Sequence, residues 1–307
     1  MIVTVPAASI DAAEWNATVD RLQDAWWWHR SEWRAYQAAR GLLDLSVGFR
    51  EDATGDLVGL APLMVSQATA SGEGYPAPVA DRQWIEDTDV RRLAAAWAAS
   101  HGVEVWLAYG RPVDPLDGCR AAPDACTRVV CIGDETPGIL WQNIRRSYHA
   151  IIHKAGRDYA MHTWSGESGG DISAAIMCCA DIHRTAAGRD TRSAATWELM
   201  GDWVRKGHAL IIGVSHNADL AGYIYVITYK SWAYYASAAT LAKNLNHALQ
   251  WAAIKTLRQA GIAHYELGYM PANPTEKERS IQHFKEGFGG ADWPFEVTDV
   301  LRTNHAE

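Results

Sequence analysis

No apolar run in this sequence approaches the roughly 20 residues that a membrane-spanning helix needs. Residues 1–20 lack both a basic start and a long apolar stretch, so we expect no secretory signal and a cytoplasmic protein. The sequence also lacks the glycine-rich P-loop and Rossmann patterns, which disfavours ATP-driven ligation. These absences leave an ordinary globular enzyme or binding protein as the class to consider.

The sequence has few cysteine or histidine spacings that are typical of metal-binding sites. The 5 cysteines are an odd number, and no two of them have CxxC spacing, so free thiols in a reducing compartment are expected. His149 and His153 lie four residues apart and His183 follows, but there is no HExxH glutamate. We expect no bound metal and no cofactor.

Positive charge is also limited, because 28 Lys and Arg against 36 Asp and Glu give a formal net charge of -8. This balance disfavours a protein coated in DNA, since such binding depends on many phosphate contacts. A local basic groove for the end of an RNA remains compatible with it. The 15 tryptophans are many for this length, and we expect most of them in the core and a few in a concave site for a sugar, base or peptide.

Residues 1–135 have the pattern of one domain. The predicted helices are 10–23, 31–40 and 88–100, and the predicted strands are 43–49, 57–65, 103–109 and 127–132. A polar turn joins the first two strands into a hairpin. The segment GDETPG (133–138) marks the boundary, because Pro137 then stands at the first position of a long helix.

Residues 136–307 show a similar order of predicted helices and strands. The predicted helices are 137–156, 171–187, 194–206, 245–260 and 276–287, and the predicted strands are 209–215, 220–229, 231–238, 264–269 and 294–300. Both halves contain a strand hairpin, then a helix, then a further strand. The sequence therefore predicts an α/β (α+β) protein of two domains, 1–135 and 136–307, with helices packed on mixed sheets.

The segment GESGG (166–170) matches the G-x-S-x-G pattern of a hydrolase nucleophile elbow. Too little strand–helix repetition surrounds it to build a hydrolase sheet, and Asp171 is a plain helix N-cap. We interpret it as a surface turn.

Segments with more specific patterns cluster after residue 140. These are LWQNIRRSYHAIIHKAGR (140–157), HRTAAGRDTR (183–192), WAYYASAAT (232–240), HYELGYM (264–270) and IQHFKEGFGG (281–290). Together they resemble the FemABX family, the aminoacyl-tRNA-dependent peptide-bond-forming transferases, and related N-acyltransferases of the GNAT fold. WWWHRSEW (26–33) and YPAPVAD (75–81) resemble shorter elements of the same family.

The resemblance implies two tandem GNAT-like domains that share a cleft. It also implies transfer of an aminoacyl group from aminoacyl-tRNA to the amine of a peptide-like or nucleotide-linked acceptor, such as a cell-wall precursor. Some members carry a long helical arm, but no heptad stretch of that length exists here. For such a compact chain we favour a small acceptor, such as an antibiotic or other secondary-metabolite peptide.

The resemblance assigns the catalytic positions to Phe284 and Lys285, the family's Phe-Lys pair. An aminoacyl ester is already activated, so the enzyme has to hold an amine against the carbonyl and stabilise the oxyanion. Lys285 would supply that stabilising cation. Without the surrounding HFKEGFGG pattern, Lys285 would be read as a solvated helix lysine.

The resemblance also suggests residues for the acceptor. Arg192, with Arg189 nearby, would bind phosphate through its guanidinium fork, and a solvated loop is the alternative for Arg189. Tyr235 would hydrogen-bond the acceptor, with core packing as its alternative. The corresponding positions in the first half are Arg30, Trp33, Tyr75 and Asp81.

Four basic residues give the helix after residue 137 a positive character; they are Arg145, Arg146, Lys154 and Arg157. A tRNA acceptor stem would lie along them through backbone contacts. The alternative is an ordinary solvated helix face.

The stretch SAATLAKNLNH (237–247) has no glycine where acetyl-CoA enzymes of the GNAT fold have a pyrophosphate loop. This favours aminoacyl-tRNA over a CoA thioester as donor. An acyl-CoA- or carrier-dependent N-acyltransferase is the first alternative, and a tryptophan-rich binding protein without catalysis is the second. The amino acid transferred, the acceptor, any general base and the oligomeric state do not follow from the sequence.

Overall fold

The computed structural model describes residues 1–66, 71–72, 76–112, 125–168, 170–217 and 219–302. The chain forms two compact units, Met1–Val113 with Phe295–Glu307 (unit 1) and Asp114–Pro294 (unit 2). The sequence predicted a change of domain at 135–136, whereas this division lies earlier in the chain. The reason is long-range pairing, because the strand Ala125–Cys131 pairs with a strand of unit 2 that lies more than a hundred residues later.

Unit 1 contains three α-helices and eight complete strands among its described residues. The helices are α1 (Ala12–Arg21), α2 (Ser31–Ala39) and α3 (Asp87–Ser100). The strands are β1 (Ile2–Pro6), β2 (Leu43–Asp44), β3 (Val47–Glu51), β4 (Leu57–Ala61), β5 (Met64–Ser66), β6 (Ser71–Gly72), β7 (Val79–Ala80) and β8 (Val105–Pro112).

The strands of unit 1 form two groups. One has the order β1-β3-β4-β7, and its β3–β4 hairpin confirms the predicted one. The other joins β2, β5, β6 and β8 to the later part of the last strand, β15 (Ala291–Arg302). Val90, Ala94 and Ala98 repeat every four residues along α3, and this face is buried against Phe49 and Trp106.

Unit 2 holds six helices and six complete strands among its described residues. The helices are α4 (Pro137–Asn143), α5 (Arg146–Asp158), α6 (Ile172–Ala187), α7 (Ala194–Arg205), α8 (Leu245–Gln259) and α9 (Glu276–Glu286). The strands are β9 (Ala125–Cys131), β10 (Ala160–Trp164), β11 (Ala209–His216), β12 (Asp219–Tyr229), β13 (Trp232–Thr240) and β14 (His264–Pro271).

The sheet of unit 2 has the order β10-β11-β12-β13-β14-β9, followed by the start of β15. Its strands are antiparallel except for the pair β13–β14, which is parallel. This exception follows from the connection, since α8 is the crossover that a parallel pair needs. The mixed sheet expected from the sequence is therefore present.

Helices cover both faces of this sheet. On one face, α5 and α8 pack over a core that includes Ile224, Val226 and Leu249. On the other face lie α6 and α7, as shown by the Tyr225 hydroxyl, which donates to the carbonyl of Met200 in α7 at 2.8 Å. We call these the α5/α8 face and the α6/α7 face.

The predicted helix 137–156 is wrong in one respect, because it is two helices. Ile144 and Arg145 between α4 and α5 have extended ψ angles of 135° and 127°. The amide of Arg145 donates to the carbonyl of Gly287 at 2.8 Å instead of continuing the helix. A contact with a distant segment therefore overrides the local helical pattern.

The longest described helix is α6, with 16 residues, so the predicted absence of a helical arm agrees with the described part of the chain. Within that same part, no helix is long and apolar enough to cross a membrane.

Candidate functional site

The parallel strands β13 and β14 separate at a defined point. Their ladder ends at the pair Tyr234–Glu266, although β13 continues to Thr240 and β14 to Pro271. Beyond that pair, no ladder joins the two strands in the described range 219–302. Diverging strands leave a wedge in the sheet, and an extended ligand segment fits such strand edges well.

The side chain of Lys285 lies at this wedge. It is only 8% exposed, and its Nζ donates to the carbonyl of Tyr269 in β14 at 2.8 Å. Burial lowers the pKa of the Lys285 ammonium to about 8, against the opposing charge of Glu266. An ammonium has three N–H donors, and the bond to Tyr269 uses one of them.

Several contacts fix α9, the helix that carries Lys285. A capping box between Thr275 and Glu278 begins the helix, and the Gln282 side chain donates to the carbonyl of Pro271 at 2.6 Å. The neighbouring Phe284 turns away from Lys285 and packs against Tyr148 and Phe288. The Phe-Lys pair thus anchors the helix with one residue and presents the other to the wedge.

Glu266 is the second ionisable group at the wedge. It is 3% exposed, and its Oε1 accepts a 2.9 Å hydrogen bond from the hydroxyl of Thr127 in β9. Its Oε2 is buried and has no hydrogen-bond partner among the described residues. Burial raises the pKa of Glu266 to about 7, while the Thr127 hydroxyl and the charge of Lys285 act in the opposite direction.

The hydroxyl of Tyr234 also lies near Lys285, and Gly268 lies between the two side chains. A Cβ atom on Gly268 would lie 3.6 Å from Lys285 Nζ and 3.9 Å from the Tyr234 hydroxyl, which places both groups beside the bare backbone. Gly268 also has a φ of +88°, a conformation that side chains with a Cβ rarely adopt. We call Thr127, Tyr234, Glu266 and Lys285 the wedge cluster.

A second polar chain runs from α6 into the sheet. Arg192 Nη1 lies 3.2 Å from His183 Nε2, and His183 Nδ1 lies 2.8 Å from the Tyr223 hydroxyl. That hydroxyl lies 3.1 Å from Ser237 Oγ. Because arginine only donates, His183 Nε2 accepts and its Nδ1 carries the proton. Burial, followed by the charge of Arg192, lowers the pKa of His183 and keeps it neutral.

The wedge cluster and this second polar chain lie on the same face of the sheet. Ser237 pairs with Tyr225, whose hydroxyl contacts α7, so Ser237 is on the α6/α7 face. Tyr265 contacts Gln250 of α8, and its neighbour Glu266 therefore points to the α6/α7 face. Tyr234 and Ser237 are three residues apart on β13, which is roughly 10 Å along a strand.

The structure does not bring Tyr235 to the wedge cluster. Tyr235 packs against the core of the α5/α8 face and bonds to Gln250, and burial raises its pKa to about 12. Its neighbour Tyr234 is the tyrosine beside Lys285. The role of Tyr235 in acceptor binding stays a prediction.

The first-half candidates belong to unit 1. Asp81 forms an ion pair with Arg21 at 2.7 Å. Arg30 is buried and pairs with Asp20 and Glu32. The remaining two candidates are Trp33, which stacks on Tyr36 with ring centroids 5.5 Å apart, and Tyr75, which lies outside the described residues.

Of the basic residues around α5, Arg145 differs from the rest. It donates to the carbonyl of His283 at 2.9 Å and so holds the end of α9. Arg146, Lys154 and Arg157 are exposed, and their spacing places Arg146 and Arg157 on one side of the helix. Of the two arginines predicted to bind the acceptor, Arg192 is partly buried over the Trp197 ring, and Arg189 is exposed.

The histidines considered for metal binding have other contacts. His149 stacks on Trp141 with centroids 4.2 Å apart, and His153 lies against the same ring. Within the described ranges, no three His, Cys, Asp or Glu side chains gather to hold a metal ion. In the GESGG segment, the hydroxyl of Ser168 bonds back to Ser165 in a turn, as the sequence predicted.

Sequence reasoning missed Glu266 and the bonded role of His183. A signal for Glu266 was present, because a carboxylate stands in a strand between the apolar residues Tyr265 and Leu267. Carboxylates are almost never fully buried unless they are paired with another group or have a functional role. The face on which Glu266 lies depended on strand pairing that the sequence does not reveal.

Comparison with known proteins places this geometry in a known fold. No protein-family model matches the sequence, and no curated protein matches it. Among solved structures, FemX superposes with a TM-score of 0.68 at 13% identity, over 97% of this chain and 96% of FemX. The fold is similar to that of FemX.

Two further structures support this result. L-PGS from Bacillus licheniformis superposes with a TM-score of 0.64 at 12% identity, over 96% of this chain and 93% of that one. A tandem GNAT protein from the clavulanic acid biosynthesis pathway gives 0.51 at 13% identity, over 99% and 100% of the two chains. The FemX-like, tandem GNAT-like fold expected from the resemblance is confirmed, and at these identities the likeness concerns the fold.

Proposed function

We propose that this protein transfers an aminoacyl group from aminoacyl-tRNA to the amine of a peptide-like acceptor and forms an amide bond. The observation that carries the proposal is the buried ammonium of Lys285 at the wedge between β13 and β14. The similarity to the FemX fold supports it.

The wedge suits acyl transfer from an activated ester. The acceptor nitrogen attacks the ester carbonyl, and negative charge develops on the carbonyl oxygen. A buried cation at hydrogen-bond distance stabilises such an oxygen far more than it would in water. Lys285 is held by the carbonyl of Tyr269 and still has N–H groups to donate. It is charged below its pKa of about 8.

The exposed cations of α5 favour an RNA donor. Arg146, Lys154 and Arg157 lie in unit 2, the unit that contains Lys285. Contacts from such residues to phosphates position a nucleic acid without reading its sequence. In this proposal the donor needs no cofactor, and the acceptor is a small peptide or a cell-wall precursor.

The test is a transfer assay with total tRNA charged with a mixture of labelled amino acids. The acceptors are muropeptide precursors and small amine-bearing peptides, and a parallel reaction receives RNase first. We expect label in an amide product, abolished by RNase, because the ester on the tRNA is the acyl source. Amide formation from an acyl-CoA but from no charged tRNA would contradict the proposed donor. Absence of product with both donors would contradict the transferase.

A further inference from the structure

The buried carboxylate of Glu266 has an unexplained free oxygen. Buried polar atoms are hydrogen-bonded in the great majority of cases, and a buried carboxylate oxygen without a partner is costly. Oε1 is satisfied by the Thr127 hydroxyl, but Oε2 has no partner among the described residues. Such an oxygen at the edge of a wedge points to a substrate group that donates to it.

The side chains around Glu266 determine which protonation states are available when a substrate group donates to Oε2. The charged or titratable groups that act on it are Lys285 of α9 and Tyr234 of β13, and the third neighbour is the hydroxyl of Thr127 in β9. Burial raises the pKa of Tyr234, so this phenol stays neutral. The ammonium of Lys285 is required to keep its proton if it stabilises an oxyanion.

The proposed reaction also needs a group that moves a proton. When the amine nitrogen bonds to the ester carbonyl carbon, it has to lose one proton. When the bond from that carbon to the ribose oxygen breaks, the oxygen has to gain one. A single carboxylate that takes the first proton and gives it to the second atom balances the reaction and is regenerated.

Resting on the function proposed above, we propose that Glu266 is the catalytic proton carrier, which accepts the proton of the attacking amine on Oε2 and returns it to the leaving ribose oxygen. The hydroxyl of Thr127 holds Oε1 and so fixes the direction of Oε2. Lys285 stabilises the oxyanion in the same step. The three side chains come from β14, β9 and α9.

The electrostatics of the site suit this role. A proton carrier is most effective when its pKa lies near the working pH, and burial raises the pKa of Glu266 to about 7. Above that pH Glu266 is ionised and can accept a proton. As the pH falls below it, Glu266 becomes protonated and can no longer accept one. Lys285 is charged below about 8 and loses its charge as the pH rises. We therefore expect kcat to fall on both sides of an optimum near these values.

The test compares Glu266→Gln with Glu276→Gln in the amide-forming assay, at saturating acceptor and over a range of pH. Glu276 is an exposed residue of α9 and serves as the matched control. We expect Glu266→Gln to lower kcat by about 100-fold or more with little change in KM, and to remove the acid limb near pH 7. We expect Glu276→Gln to behave as the wild type.

A second variant separates proton transfer from folding. Thr127→Val keeps the size of a fully buried side chain but removes the hydroxyl that lowers the pKa of Glu266. We expect its acid limb to move to higher pH, which a merely structural residue would not cause. Circular dichroism and thermal melting check that all variants fold.

The outcomes are distinct. If the wild type makes amide but Glu266→Gln keeps its kcat and its acid limb, Glu266 is not the carrier, and the proposed function stands. If amide forms only from an acyl thioester, the proposed donor is wrong, and so is the return of a proton to a ribose oxygen. The same variants assayed with that thioester then decide only whether Glu266 accepts the proton of the attacking amine. If the wild type makes no amide from either donor, both proposals fail.

Discussion

Replacing Lys285 with alanine is expected to lower kcat for amide formation by about 100- to 1000-fold. The ammonium lies at the wedge, held by the carbonyl of Tyr269 at 2.8 Å. It contributes most when charge develops on the ester oxygen, so the loss falls on kcat more than on KM. The measurement is steady-state transfer to a saturating acceptor, made once the donor has been identified.

Two further variants show whether the charge matters rather than the packing. Lys285→Met keeps an unbranched side chain but removes the ammonium, and we expect the same loss as with alanine. Lys277→Ala removes an exposed lysine from the same helix and is expected to leave kcat unchanged. Wild-type kcat in a folded Lys285→Ala protein would contradict the assigned mechanism.

Replacing Gly290 with alanine is expected to lower the free energy of unfolding by about 3 kcal/mol or more. Gly290 has a φ of +76°, and a Cβ there would lie 2.1 Å from the carbonyl oxygen of Val129. That atom belongs to the backbone of β9, so it cannot swing aside as a side chain would. The turn from α9 into β15 would have to open, only a few residues from Lys285.

Gly261→Ala is the matched control for this prediction. Gly261 also has a φ of +76°, but no atom lies within 4 Å of its Cβ position. Its replacement should cost only the positive φ, about 1–2 kcal/mol. Urea unfolding of both variants gives the two values, and equal losses would show that the close approach to Val129 is unimportant.

Much of the fold follows from local pattern. The strand meander of β11 to β13 and the helix α8 lie close to their predicted ranges. The strands are rich in apolar and β-branched residues, and their turns use Asn217 and Lys230 at positive φ. The apolar residues of α8 recur four apart from Leu245 to Leu257. By contrast, β1 was not predicted, although Ile2 to Val5 are β-branched residues that are typical of strands. It is a five-residue strand whose stability comes from pairing with β3 about 45 residues later.

The candidate site was only half predictable. Lys285 was indicated by the resemblance of its segment to a known family. Glu266 required the knowledge that Thr127, 139 residues earlier, lies beside it. The break before α5 likewise depends on the bond from Arg145 to Gly287. Local propensity carries no information about such long-range contacts.

The central claim is that the acylated end of a tRNA reaches Lys285. A tRNA whose terminal ribose has been oxidised to a dialdehyde forms an imine with a neutral lysine nearby, and cyanoborohydride makes the bond permanent. Burial lowers the pKa of Lys285 to about 8 and so increases its neutral fraction. We predict that peptide mapping finds the label on Lys285, that intact tRNA competes with it, and that Lys285→Met is not labelled there. Label confined to other lysines, such as Lys154 or Lys277, and unchanged in Lys285→Met would contradict the claim.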